Sequence, residues 1–192
     1  VTAIQLIVGL GNPGPQYART RHNAGFWFVD ALADAARAAF RHAARFQSDL
    51  AGCVLDGHEF RLQKPCTYMN HSGRAVAALA GYYRIPVEAI LVVHDDLDLP
   101  PGTVRLKRGG GHGGHNGLRD LIPSLGSGGF LRLRLGIGHP GHRDGVVDYV
   151  LSLPSREDRE LIGEAVDAGL AALPLVVDGK LEPAMHRLHS RR

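Results

Sequence analysis

The stretch from Ile4 to Asn23, IQLIVGLGNPGPQYARTRHN, constrains the chain most. The apolar run Ile4–Val8, bounded by glycine, reads as a strand buried on both faces, as in a mostly parallel sheet covered by helices. Gly9, Gly11 and Gly14 follow, with Pro13 and Pro15 between and after them. Glycine opens backbone conformations that other residues avoid, and proline fixes φ, so this loop is shaped rather than slack. Loops at the carboxyl ends of strands line the ligand crevice of α/β sheets. Asn12, Tyr17 and His22, which hang off this loop, are therefore the first candidate functional groups.

Gly9-x-Gly11-x-x-Gly14 also matches a dinucleotide fingerprint, but the surroundings argue against it. The third glycine of that motif lies inside an opening helix, and here prolines flank it. The required acidic residue should end a second strand, whereas Asp30 falls within a helical pattern of Phe26, Val29, Leu32, Ala33 and Ala36.

A length of 192 residues with 44% hydrophobic residues suits one globular domain with a full-sized core. No run approaches the ~18 apolar residues of a membrane span, and the N-terminus does not read as a signal peptide, so a cytoplasmic protein is expected. Cys53 and Cys66 lack metal-ligand spacing and are expected to be free thiols. The net charge of +3 hints only weakly at a polyanionic partner.

Along the rest of the chain, Ala24–Phe40 reads as an amphipathic helix. Arg45–Cys53 and Cys53–Gln63 read as extended, joined by an Asp56-Gly57 hairpin turn. Ser72 is expected to cap a helix with Val76, Leu79, Ala80 and Tyr83 on its apolar face. A second buried strand, Ala89–Val93, runs into His94-Asp95-Asp96-Leu97-Asp98, carboxylates placed where a central strand should open onto the crevice. Charge is costly to pack there, so a functional role for Asp95 is expected. Thr103–Arg108 alternates, placing Arg105 and Lys107 on one face. The loop Gly109–Gly117, GGGHGGHNG, suggests close approach of backbone to a ligand, or a lid. A short helix, Leu118–Ile122, should end at Pro123. Phe130–Gly138 alternates strictly, with Arg132 and Arg134 together on the face away from the leucines. Gly145–Leu151 is a short element. Ser155 with Asp158 signals a capping box opening a helix that Pro174 should close. Leu181–Arg192 reads as a basic, frayed tail.

Several of these segments together closely resemble the bacterial peptidyl-tRNA hydrolase family. They are Ile7–Gly14, Tyr17, TRHNAG (20–25), KPCTYMNHSG (64–73), Asp95-Asp96, GGGHGGHNGL (109–118) and RLRLGIGHPG (132–141). The matches are in order and span about residues 4 to 151. The resemblance implies a single-domain α/β fold over 1–192, a twisted mixed sheet flanked by helices in three α/β/α layers. It implies cleavage of the ester between a peptide and the 3′-terminal ribose of tRNA, with no metal or other cofactor. It further implies a cytoplasmic monomer that engages the acceptor stem and CCA end of peptidyl-tRNA, and neither DNA nor membrane.

Roles follow from chemistry and from that resemblance. Ester hydrolysis at neutral pH needs a water partly deprotonated, which suits the imidazole of His22. Asp95, by analogy with the orienting aspartate of hydrolytic triads, would fix its tautomer. No G-x-S-x-G elbow or cysteine dyad offers a covalent nucleophile. Asn12, Asn70 and Asn116 carry amides that both donate and accept, suited to gripping ester and peptide backbone whatever the peptide sequence. Asn12 would contact the scissile region. Asn116 alternatively caps the following helix. Gly113 and His115 of the glycine-rich loop, with Met69 as an apolar wall and Tyr17 beside the terminal adenosine or ordering its loop, complete the expected substrate contacts. Lys107 and Arg134 match positions that clamp the 5′-phosphate, and Arg105 and Arg132 would extend the patch. Two other readings compete: an RNA-binding relative without catalysis, and a hydrolase of another acyl ester.

Overall fold

Residues 2–191 are described by a computed structural model. Strand β1 (Leu6–Gly9) is wholly buried and lies within a sheet of order β2-β3-β4-β1-β5-β7-β6. The other strands are β2 (Arg41–Ala43), β3 (Ser48–Leu55), β4 (His58–Pro65), β5 (Ile90–Asp96), β6 (Val104–Arg108) and β7 (Leu131–Gly136). β4, β1, β5 and β7 run parallel, while β2, β3 and β6 pair antiparallel. This is the mixed sheet expected. The Asp56-Gly57 hairpin is present, with Leu55 opposite His58 and both turn residues at positive φ.

Both faces are covered. Alternate residues of β5 divide between two cores, Leu91 and Val93 on one side, Ile90 and Val92 on the other. The first side packs under helices α1 (Ala24–Ala35), α5 (Arg156–Val177) and α6 (Leu181–His189). The second packs under α2 (Ser72–Tyr82) and α3 (Asn116–Leu125). A short helix α4 (Val146–Val150) lies before α5. Among the described residues, no helix is long and apolar enough to cross a membrane. Cys53 is buried, Cys66 is half-buried, and both are free.

Several expectations are corrected. Pro123 and Pro174 end nothing: both lie inside their helices, which run on to glycines in the left-handed region, Gly126 (φ 72°) and Gly179 (φ 79°). The predicted helix Ala24–Phe40 stops at Ala35, because Arg37 turns left-handed (φ 54°) and the Ala38 N–H closes on the Ala33 carbonyl. Ser72 is no cap: it is the first residue of α2, and its hydroxyl donates to the Met69 carbonyl. Leu181–His189, read as a frayed tail, is instead helix α6, with Ala184 and Leu188 buried in the core, while Arg192 lies outside the described residues. His189 Nε2 accepts the Leu106 N–H, blunting edge strand β6. The Ser155 cap is as expected, its oxygen accepting the Asp158 N–H at 3.1 Å.

Candidate active site

The neighbouring parallel strands β4, β1 and β5 end side by side, and the segments following them form one rim. The β1 loop delivers Asn12 and, through a 3-10 turn over Arg21–Asn23, His22. The segment after β4 delivers Met69 and Asn70, and β5 itself ends in Asp95. Glycine makes the approach close enough. A Cβ on Gly25 would strike the carbonyls of Leu10 and Val93, and one on Gly9 would sit 2.5 Å from the Gly25 carbonyl. Only with bare backbone at both positions can α1 start directly against the strand ends.

Two hydrogen bonds lock the Asn12 loop. The Asn12 N–H donates to Asn23 Oδ1 (2.9 Å), and Asn23 Nδ2 donates back to the Asn12 carbonyl (3.0 Å). The Met69 N–H donates to Asn12 Oδ1 at 2.7 Å. A backbone N–H needs an acceptor, so the amide oxygen is fixed there and Asn12 Nδ2 is left as a donor at the cavity wall. Arg21, which sequence reading passed over, ties this turn to α4. It lies over the Tyr149 ring at 3.9 Å and donates to the Tyr149 carbonyl and the Ser152 hydroxyl.

His22 and Asp95 are both buried and paired, with Nδ1 3.0 and 2.9 Å from the two carboxylate oxygens. Nδ1 therefore carries the proton, and Nε2 is the basic nitrogen. Burial disfavours a charged imidazole, but the facing carboxylate outweighs it by charge and hydrogen bond, and the pKa of His22 is raised. Burial pushes the Asp95 carboxyl the other way from its partners, and the charges and hydrogen bonds of His22 and His115 hold it well below the usual carboxylate range.

His115 is the unexpected part of this arrangement. Its Nδ1 accepts the N–H groups of Gly117 and Leu118, so it caps α3 in place of Asn116. Its Nε2 lies 2.8 Å from Asp95 Oδ1. With Nδ1 an acceptor, Nε2 carries the proton, and Asp95 takes N–H bonds from two imidazoles whose rings are 4.9 Å apart. Donor atoms of His22, Asp95 and His115 lie within 4.8 Å of one another, a spacing that also suits a cation. The hydrogen-bonded arrangement, however, uses both His115 nitrogens. His94, also unforeseen, is buried on the cavity wall. Its Nδ1 donates to the Asp95 carbonyl (2.8 Å), and its Nε2 meets no partner among the described residues. Burial, then the neighbouring His115, lower its pKa to about 4.

These groups line a cavity of about 370 Å³. Asn12, His22, Met69, Asn70, Asp95, Lys107, Gly113, His115, Asn116, Arg132 and Arg134 all border it. Tyr17 and Arg105 do not. Tyr17 packs edge-on against Tyr68 (6.3 Å), and its carbonyl accepts from Thr20. Arg105 is half-buried on β6, its guanidinium donating to the Val104 carbonyl (3.4 Å) near His189 of α6.

Arg132 departs from the expected pair of surface arginines. β7 lies between β5 and β6 with both faces covered, and Arg132 is 3% exposed. Its guanidinium donates to the carbonyls of Gly110 (2.6 Å), Gly111 and Gly128 (3.1 Å). It is spent on the glycine-rich loop and is not presented to a phosphate. That loop has positive φ at Gly109, Gly110, Gly113 and Gly114, which lets its carbonyls turn down onto Arg132. Arg134 is half-buried, with Nε 2.7 Å from Asp96 Oδ2. Lys107 is exposed on the cavity rim with no carboxylate partner among the described residues.

A parallel-core α/β/α sheet carries at its strand ends a paired imidazole and carboxylate, asparagine amides and a cationic rim, the groups that activation of water at an ester calls for. The family model for peptidyl-tRNA hydrolase matches residues 6–192. The peptidyl-tRNA hydrolase of Halorhodospira halophila is 54% identical over 186 residues, covering 97% of this chain and 96% of that protein. That of Alkalilimnicola ehrlichii is 56% identical over 189 residues, covering 98% and 96%. A crystal structure of the Acinetobacter baumannii peptidyl-tRNA hydrolase superposes with a TM-score of 0.96 at 46% identity, covering 98% of this chain and 96% of that one. The chain belongs to the peptidyl-tRNA hydrolase family.

Proposed function

We propose that this cavity is where the chain, as a member of that family, hydrolyses the ester between a peptide and the 3′-terminal ribose of tRNA. The reading rests on one observation above the rest: a buried His22 whose Nδ1 proton is held by Asp95, leaving Nε2 as the base. Nε2 takes a proton from water as the water's oxygen attacks the ester carbonyl. The Asn12 Nδ2 donor, fixed by the Met69 N–H on its oxygen, stabilises the oxyanion that forms. Collapse expels the ribose 3′-oxygen, which recovers the proton from the His22 imidazolium, and free peptide and tRNA result. Asn70 and Asn116 hold the peptide backbone, with Met69 as an apolar wall. Lys107, joined by the outer nitrogens of Arg134, receives the 5′-phosphate of the acceptor stem, and Arg105 extends that patch along β6. The enzyme acts as a single-domain cytoplasmic monomer.

His22→Ala should lower single-turnover hydrolysis of an N-acylated aminoacyl-tRNA by at least about 100-fold, the scale of general-base contributions. Its tRNA affinity should stay near that of the native protein. A variant that keeps most of its rate would overturn the assignment of the base. Failure of the native protein on this substrate, with activity on a simple ester, would favour the other acyl-ester reading.

A further inference from the structure

Away from the active site, at the edge of the sheet, three potential metal ligands of different chemistry converge. His42 on β2 and Asp49 on β3 are directly opposite in the antiparallel register. Asp49 in turn faces Lys64 on β4, and Cys66 follows two residues later, on the same side of the sheet. The Cys66 N–H donates to the Gln47 carbonyl at 2.7 Å, which keeps the thiol beside β3. Donor atoms of His42, Asp49 and Cys66 all lie within 4.8 Å of one another. His42 Nδ1 is 3.0 Å from Asp49 Oδ1 and 3.9 Å from Cys66 Sγ. Zinc bonds of about 2.0–2.3 Å at tetrahedral angles separate ligands by about 3.3–3.7 Å, which these two distances bracket.

We infer that His42, Asp49 and Cys66 form a binding site for a thiophilic divalent cation of the zinc class. Thiolate and imidazole together favour Zn²⁺ over Mg²⁺ or Ca²⁺, which take oxygen ligands. The charges balance: a thiolate and a carboxylate neutralise the dication, and the imidazole binds neutral. On binding, the Cys66 proton leaves to solvent, and the His42 proton now shared with Asp49 moves from Nδ1 to Nε2. Lys64 does not compete for the carboxylate of Asp49, because its Nζ is engaged by Asp30 at 2.7 Å. Asp49 and Cys66 also border a cleft of about 240 Å³, which gives a water room to complete the fourth position. The ion would pin β2, a three-residue exposed edge strand, to β3 and to the segment after β4. Cys53 is 3% exposed in the core and offers no rival thiol.

The test uses the whole protein, reduced with a non-chelating phosphine, and Co²⁺ alone as the probe. One Co²⁺ per chain should bind, with a sulfur-to-cobalt charge-transfer band that Zn²⁺ abolishes by displacement. Cys66→Ser should lose the band. His42→Ala and Asp49→Asn should each weaken binding by at least about 10-fold, the lower bound seen even for residues that only support a ligand. Zn²⁺ should raise the Tm of the native protein and slow amide exchange over residues 41–43, and do neither in Cys66→Ser. His42 is exposed, and Asp49 and Cys66 are half-buried at the edge of the sheet outside the core, so the metal-free variants should unfold near the native Tm. Absence of Co²⁺ or Zn²⁺ binding by the native protein would overturn the site. So would binding that is undiminished in Cys66→Ser, which would place the ion on His22, Asp95 and His115 instead.

Discussion

At the residue scale, Asp95 is a shared carboxylate, and the sharing has a sign. It faces His22 Nδ1 with both oxygens and His115 Nε2 with one. Its charge raises the pKa of His22 against the cost of burial. With His22 as the proposed base, hydrolysis needs it neutral, so the rate should fall as pH drops through that raised pKa. Asp95→Asn removes the raising charge and leaves the desolvation, so the acid limb of the pH–rate profile should move to lower pH while the rate drops. His115→Asn should do the reverse. Asparagine retains the cap on α3 but is too short to reach Asp95, whose full charge then falls on His22, and the acid limb moves to higher pH. Equal shifts of the same sign in both variants would refute this division of roles.

At the scale of elements, the glycine-rich loop is held at both ends by groups that are not part of it. Arg132 on β7 grips the carbonyls of Gly110 and Gly111, and His115 joins the other end to Asp95. The loop is thus tied to the sheet despite its composition. Arg132→Met keeps much of the apolar stem but removes five donors. It should speed amide exchange across residues 109–115 and raise KM more than it lowers kcat, because the base pair of His22 and Asp95 is untouched. β6 and β7 differ in what they offer RNA. Arg134 already shares charge with Asp96, whereas Lys107 has no such partner among the described residues. Lys107→Ala should lower the salt slope of log K for tRNA by about 1. An unchanged slope would remove Lys107 from the phosphate contact.

At the scale of the whole molecule, the site is built at a cost to the fold in acid. His94 is buried and its pKa is lowered to about 4 from an ordinary value near 6.5. Between those values the unfolded chain holds a proton that the folded chain does not, so stability declines as pH falls through this window, by up to about 3 kcal/mol. His22 works the other way: its pKa is raised, so its contribution is complete below the unfolded value and is lost only as pH rises. The acid loss therefore belongs to His94, joined by His189, whose pKa burial and the nearby Arg105 and Arg134 also lower. Denaturant unfolding at pH 7 and pH 4.5 should show a smaller drop in His94→Gln than in the native protein, and an identical drop would assign the loss elsewhere.

How much of this was legible beforehand differs by level. Local chemistry carried the first buried strand, read over Ile4–Val8 and found at Leu6–Gly9, the Asp56-Gly57 hairpin, the Ser155 cap and the alternation of β6, because each depends on neighbours a few residues away. The shaped loop after β1, with Asn12 and His22 on it and Asp95 at the end of a second buried strand, was also readable, since strand ends are where α/β sheets place ligands. Helix ends were not. Pro123 and Pro174 looked like stops, yet positive-φ residues further on, one of them the non-glycine Arg37 for α1, set the true ends. The roles of Arg132, His115 and His94 were beyond reach for a different reason. An arginine on an alternating strand faces solvent only if nothing packs over it, and here β7 is interior and the loop folds down onto it. A histidine in a glycine-rich loop becomes a second partner for Asp95 only when α3 is set against the β5 end. Sequence alone determined which elements carry the polar groups that meet at the cavity. Tertiary structure decided which of them share a proton and which are consumed in holding the others, because a hydrogen bond is fixed by tenths of an ångström between segments that pattern cannot place relative to one another.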